Sequence, residues 1–206
     1  MYRYIKRMID IILSMLGIML LIPVYVVLMV MVRFKLGSPI FFIQERSTLD
    51  GRSFNLLKFR TMNNSVDSDG NLLPDELRQT SLGGWLRNTS LDELPELFNI
   101  LKGDMSIIGP RPMPPKYNMY FYEYEKKRFK VRGGLLPPEV LKDNPMPSWD
   151  EQLCWEAEYG EHNSFCIDLK ILFHTFKLLV YRKNVNYGNY VRISLNLERE
   201  DKIKYL

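Results

Sequence analysis

The polarity pattern changes period along the chain, and each change marks an element. From Ile11 to Val32 almost every residue is apolar, with lysine or arginine beyond both ends at Lys6-Arg7 and at Arg33 and Lys35. About twenty such residues are enough to cross a hydrocarbon core, so the run predicts a membrane helix. No small-residue cleavage site follows it, which argues against a signal peptide. Pro23, near its middle, removes one N–H and leaves the Met19 carbonyl without its helical partner, and a kink is expected there. Positive charge marks the cytoplasmic side of a membrane, so cations at both ends favour a bent, re-entrant anchor over a straight span.

Beyond the anchor the pattern shortens. Pro39 to Ile43 and Phe54 to Arg60 alternate like strands around an Asp50-Gly51-Arg52 turn, a hairpin that carries Lys58 and Arg60 towards its end. Residues 63–75, rich in Asn, Ser, Asp and Gly, read as a loop, either a surface connector or a cover over a site. Helical spacing returns at Leu82 to Asn88, with Arg87 at its end. Tyr117, Tyr120, Phe121, Tyr122 and Tyr124 are placed on a helix running into the Lys126 to Lys130 cluster, as a membrane-interface belt or a core stripe. Trp149 to Tyr159 reads as an acidic, aromatic helix. Cys166 to Lys183 reads as an amphipathic one, with Ile167, Ile171, Leu172, Leu179 and Val180 at helical spacing, suited to an interface or to a core. The tail from Asn184 offers one strand, Val191 to Leu197, and no assignable role.

Composition changes this picture little. The 206 residues suit one modest domain, and their 46% hydrophobic content is ordinary apart from its concentration in the anchor, which takes that run out of any soluble core. The formal charge of +4 matters through its clustering at Lys6-Arg7, Arg33 with Lys35, Lys126 to Lys130 and Arg182-Lys183. Beside an apolar anchor such clusters suit membrane lipids of anionic charge better than nucleic acid, for which there is no motif. Cys154, Cys166, His162 and His174 lack metal-ligand spacing and read as ordinary residues in a reducing compartment. The absence of a P-loop or glycine-rich nucleotide fingerprint argues against kinases and dinucleotide enzymes.

The chemistry concentrates between Ser90 and Pro112. Ser90 and Glu93 have the spacing of a helix capping box, and acidic residues favour a first helical turn. A carboxylate there sits beside unpaired N–H groups that favour its ionised form, so Asp92 is expected as a ready anion able to hold a divalent cation or attack phosphorus. Pro95 leaves the register open between Ser90 and Asp92 as the cap. In Gly109-Pro110-Arg111-Pro112, prolines restrict the main chain around one guanidinium, a group suited to bidentate phosphate binding or, more plainly, to a surface ion pair.

Ser90-Leu91-Asp92-Glu93-Leu94-Pro95-Glu96-Leu97, Asn99 to Ser106 and Gly109-Pro110-Arg111-Pro112 together resemble the signature of the bacterial monotopic phosphoglycosyl transferases, the PglC-like sugar transferases. The likeness extends to Lys6-Arg7 with Asp10, Lys58 to Met62, and Asn163-Ser164-Phe165 with Asp168. It implies an α+β fold class: a small, mainly helical membrane-associated domain with a short β-hairpin and an N-terminal kinked re-entrant helix. Residues 1–35 would form the anchor, 36–183 the catalytic domain with interfacial amphipathic helices, and 184–206 a tail of unknown role. It further implies transfer of a phosphosugar from a UDP-sugar to undecaprenyl phosphate with release of UMP, through a covalent intermediate on Asp92, at the cytoplasmic face of the bacterial inner membrane. In that scheme Asp92 is nucleophile and Mg2+ ligand, Glu93 assists, and Arg111, Arg87 and Lys58 hold phosphate. A homo-oligomer is left open. So are a hexose-1-phosphate transferase of the same fold and a non-catalytic membrane-anchored adaptor. Two departures stand out. Ile22 precedes Pro23 where the family has serine, and Arg132-Gly133-Gly134-Leu135-Leu136-Pro137-Pro138-Glu139 lacks the Thr-Gly and Gln of the family's loop, so no nucleotide or sugar contact carries over from it.

Overall fold

The computed structural model describes residues 2–142, 144, 146–180 and 192–203. In chain order these form α1 (Tyr2–Leu36), β1 (Phe41–Ser47), β2 (Ser53–Phe59), α2 (Asp75–Arg78), α3 (Ser81–Thr89), α4 (Glu96–Lys102), β3 (Ser106–Ile108), β4 (Gly134–Leu136), α5 (Trp149–His162), α6 (Phe165–Val180) and α7 (Leu195–Ile203), with 3₁₀ turns between them. The chain is mainly helical with two small sheets, β1-β2 and the parallel pair β3-β4. It divides into two compact units, one of residues 1–10, 45–54 and 103–206 and the other of residues 11–44 and 55–102.

In the second unit the core forms where α1 meets the hairpin and α3. Tyr25, Leu28 and Val32, spaced along one face of α1, are buried with Phe59 and Leu86, flanked by Leu21, Leu82, Leu91 and Leu94. The anchor is thus not wholly withdrawn from the protein core. A helix apolar all round can give one face to protein and the rest to lipid, and no periodicity reveals which. The opposite side remains open, with Met19, Leu20 and Ile22 more than half exposed, and α1 is the one described helix long and apolar enough to cross a membrane. It continues through Pro23. At its C-terminus Gly37 takes the left-handed conformation (φ 81°) that glycine adopts without a Cβ clash, and Arg60 donates to the Ser38 carbonyl at 2.9 Å and to that of Leu36, satisfying carbonyls a helix end leaves open.

The loop after β2 is folded on itself. Met62 bridges Gln79, Val66 bridges Leu72, and the Asp67 carboxylate accepts the amides of Asp69 and Asn71.

Among the described residues of the other unit, two apolar clusters stand out. Met113, Phe121, Leu153 and Leu195 form one; Ile108, Tyr159 and Ile171 form the other. The expected helix through Tyr117 to Tyr124 is instead two 3₁₀ turns, Pro115–Tyr120 and Glu125–Lys130, with an extended break at Phe121. Tyr117, Tyr120 and Phe121 turn into the core while Tyr122 and Tyr124 stay exposed, a split that one continuous helix face could not produce. The cations after them are paired: Lys127 and Lys130 with Glu161, Arg128 with Glu156. They form ion pairs and not a bare basic surface. The α5 helix starts with a capping box, Ser148 and Glu151 bonding each other's main-chain N–H. The α6 helix buries Ile171 and exposes Phe165, Leu169, Phe173 and Phe176. The expected strand at 191–197 is not found: Val191 lies outside the described residues, 192–194 have no regular structure, and Leu195 opens α7. That helix is held by buried Arg199, which donates to both carboxylate oxygens of Glu125 at 2.7 and 2.8 Å and also meets Asp150.

Candidate active site

The acidic pair sits on a 3₁₀ turn, Leu91–Glu93, between α3 and α4. The capping box expected at Ser90 is absent, because Ser90 ends α3 instead: it adopts the left-handed conformation (φ 57°, ψ 19°), its N–H returns to the Arg87 and Leu86 carbonyls, and its side chain makes no cap bond. A non-glycine residue there costs about 1–2 kcal/mol, and the αL step turns the chain sharply out of α3. Neither register considered for the cap is realised. Leu94 continues in helical conformation, Pro95 places its missing N–H just before α4, where it removes no intrahelical bond, and Glu96 begins that helix.

Two devices hold the turn in place. Asn99 of α4 donates to the Asn55 carbonyl at 2.8 Å and accepts the Leu57 amide at 3.0 Å, so its amide acts as a ladder partner for β2. That brings Lys58 to Glu93 at 2.7 Å and to Glu96 at 3.1 Å. On the other side, α3 presses Gly83 against the main chain of Thr61; a Cβ at that position would stand 1.7 Å from the Thr61 carbonyl oxygen. The close approach lets Arg87 donate from Nε to Thr61 Oγ1 at 3.0 Å. Gly83 and Glu96 were not among the residues picked out above. The Gly83-Gly84 pair inside a helical pattern was the available signal for the first, since glycine within a helix is unfavourable without a packing reason.

Asp92 is 9% exposed. Burial, and then the like charge of Glu93, hold its carboxyl above the usual aspartate range, against the pull of Lys58, a main-chain N–H and Arg87. The ready anion expected of a helix N-terminus is therefore a carboxyl in which desolvation outweighs dipole and cations. Asp92, Glu93, Lys58 and Arg87 belong to the unit of residues 11–44 and 55–102. Among the described residues no group of three or more His, Cys, Asp and Glu side chains forms a protein cage for a metal. The donors at this turn are carboxylate oxygens, the hard ligands that Mg2+ accepts in small number when substrate phosphates complete its shell. The residues fit a magnesium ion shared with substrate.

Arg111 belongs to the other unit, in the loop leaving β3. Gly109 and Gly134 cross so closely that a Cβ on Gly134 would lie 2.0 Å from the Gly109 nitrogen, and Gly133 rests on the Pro112 ring. The Gly109 amide donates to the Leu136 carbonyl at 3.1 Å and the Gly134 amide to that of Pro110 at 2.9 Å. The residue itself is exposed. In the same unit the root of α1 is pinned: Asp168 accepts from Tyr2, Lys6 and, at 2.5 Å, Tyr159, and Asp10 accepts from Ser106 Oγ at 3.1 Å and the Ile107 amide at 3.0 Å.

Fold and site together define a membrane-associated α+β domain, mainly helical, with an acidic pair on a short turn, Asp92 buried and Glu93 half-buried. The chain belongs to the bacterial sugar transferase family, whose model matches residues 1–182. It is 41% identical over 160 residues to the uncharacterized sugar transferase EpsL of Bacillus subtilis (strain 168), covering 78% of this chain and 79% of that protein. It is 31% identical over 196 residues to the UDP-glucose:undecaprenyl-phosphate glucose-1-phosphate transferase of Klebsiella pneumoniae, covering 90% of this chain and 41% of that protein. Identity is 32% over 190 residues to the UDP-N-acetylgalactosamine-undecaprenyl-phosphate N-acetylgalactosaminephosphotransferase of Aeromonas hydrophila, covering 87% and 44%. The chain thus spans less than half the length of the latter two.

Proposed function

We propose that the protein transfers a sugar 1-phosphate from a UDP-sugar to undecaprenyl phosphate, releasing UMP and initiating assembly of a bacterial glycoconjugate. The observation that carries this reading is the buried Asp92 carboxyl beside Glu93, with Lys58 and Arg87 at the same turn, in a chain of the bacterial sugar transferase family. A carboxylate oxygen of Asp92 attacks the sugar-bearing phosphorus; the new O–P bond forms as the bond to the UMP oxygen breaks, and UMP leaves with that electron pair. An oxygen of the lipid phosphate then attacks the same phosphorus, the acyl-phosphate bond breaks, and the Asp92 carboxylate is restored. Glu93, tied to Lys58, handles protons or metal. Arg87, Lys58 and Arg111 hold phosphate oxygens, Arg87 and Arg111 as the planar donors that fit them. Mg2+, held by Asp92 and substrate, would neutralise charge on the diphosphate.

Undecaprenyl phosphate keeps its headgroup at the bilayer surface, and the exposed apolar side of α1 suits a protein seated in one leaflet. The anchor bends at Pro23 and re-enters the cytoplasmic leaflet of the inner membrane, with both flanking cation groups on the same side. The relatives named for glucose and for N-acetylgalactosamine define the first donors to try.

The test is intact-mass analysis of the full chain in detergent with each UDP-sugar, with UMP release assayed in the presence of undecaprenyl phosphate. A phosphosugar adduct that disappears in Asp92→Asn, and UMP release that stops on chelation and returns with Mg2+, are expected. No UMP release with any donor would overturn the enzyme reading in favour of an adaptor.

A further inference from the structure

Arg111 is exposed, yet both polar atoms of its main chain end on charged side chains in the interior. Its amide donates to Glu156 Oε1 at 3.3 Å, and its carbonyl accepts from Arg128 at 2.6 Å. Arg128 and Glu156 pair with each other at 2.7 Å, and their side chains are 2% and 0% exposed. Gln152 adds a bond to Glu156 at 3.0 Å, and the rings of Phe121 and Phe129 lie 5.1 and 5.3 Å from the Arg128 guanidinium. A buried ion pair is a poor way to gain stability, because desolvation cancels most of the attraction. One whose spare hydrogen bonds both close on a single exposed arginine has another use.

We propose that Arg128 and Glu156 are positioning residues for donor binding: they clamp the main chain of Arg111 from both sides and so present its guanidinium to a nucleotide phosphate in a fixed direction. This rests on the reading of Arg111 as a phosphate holder. The neighbours reinforce the clamp. Pro110 and Pro112 restrict the backbone dihedrals, the Pro110 carbonyl is tied by Gly134, and that of Pro112 accepts from Arg46 at 3.3 Å. A guanidinium whose main chain cannot move loses less entropy when it takes a phosphate in bidentate geometry. Glu139 completes the arrangement. Its carboxyl is held well above the usual glutamate range by burial and then by the charge of Glu156 beside it.

The test uses UDP as the probe and the full chain in detergent, with affinity measured by calorimetry at a temperature where each variant is folded. Arg111→Ala is expected to weaken UDP binding about tenfold, the loss of one charge-assisted phosphate contact. Arg128→Met with Glu156→Met removes both buried charges together, which keeps the interior apolar and folded where a single change would strand a charge. It is expected to weaken UDP binding by a similar factor, and adding Arg111→Ala to it should weaken binding little further, because the two changes act on one contact. Glu156→Gln keeps the side-chain shape and an oxygen acceptor while removing the charge opposite Arg128, and gives a second variant with a weaker clamp and an intermediate loss. A purely structural role would lower the melting temperature and leave UDP affinity intact in these variants while Arg111→Ala still lost it; that result overturns the clamp and spares the Arg111 reading. Wild-type affinity in Arg111→Ala would overturn both.

Discussion

In the proposed mechanism the chemistry turns on the ionisation of Asp92. Transfer would need its carboxylate, and in the metal-free protein burial with Glu93 alongside raises the pH at which that form appears. In the metal-free protein the Asp92 carboxyl is therefore expected to titrate through a midpoint above the ~3.9 of an ordinary aspartate, read from its carboxyl chemical shift across pH without Mg2+, since a bound cation would favour the ionised form. The stability effect runs the other way. A group whose folded pKa is raised stabilises the fold below its unfolded pKa, and that contribution is lost as pH rises through the folded value. Asp92→Asn removes the loss along with the proposed nucleophile. It is expected to cut transfer by roughly 10⁴-fold or more while raising the melting temperature near neutral pH, with both read on one sample. That Asp92 and Glu93 stand as an adjacent acidic pair was legible in the sequence. Which way the Asp92 carboxyl would be shifted was not, because desolvation depends on what covers the group.

Among the elements, α3 shows what pattern reading misses. Its helical spacing at Leu82 to Asn88 was plain, but its function rests on Gly83, which lets the helix touch Thr61. Gly83→Ala should force the two apart at a cost of about 3 kcal/mol or more, an overpacking with no flexible side chain to yield, and remove the Arg87 contact. A lowered melting temperature together with lost UMP release is the expected result. At α5 the Ser-x-x-Glu spacing means what it says: Ser148→Ala should cost about 1 kcal/mol through loss of the cap, a fall of about 2–4 °C in melting temperature with transfer unchanged. The same spacing at Ser90 and Glu93 is not a cap, because the preceding helix claims Ser90 for its own C-terminus. Spacing alone cannot tell these two serines apart.

At the scale of the molecule, α1 is both anchor and core. Tyr25, Leu28 and Val32 are 6%, 2% and 0% exposed, and fully burying three such side chains contributes about 5–9 kcal/mol, comparable to the entire stability of many domains. Deleting residues 1–36 is therefore expected to give a chain whose second unit fails to fold, and not a soluble enzyme. Circular dichroism and limited proteolysis of the truncated chain beside the full one would distinguish the outcomes.

Elements bounded by strong local chemistry were determined by sequence alone: the long apolar helix, the hairpin, and the helices over α3, α5 and α6, with the stretch from Ser90 to Pro112 marked out as the place to look for chemistry. Local propensity and composition are enough for these, since a run of apolar residues or a proline-framed arginine means much the same in any context. The tertiary structure decided everything set by distant partners. The aromatic segment broke into two turns, one face of α1 at Tyr25, Leu28 and Val32 went into the core, the lysines after Tyr124 found acidic partners, and the main chain of Arg111 closed on Arg128 and Glu156. Each is a contest between burial and solvation, and which side wins depends on neighbours that lie far away along the chain.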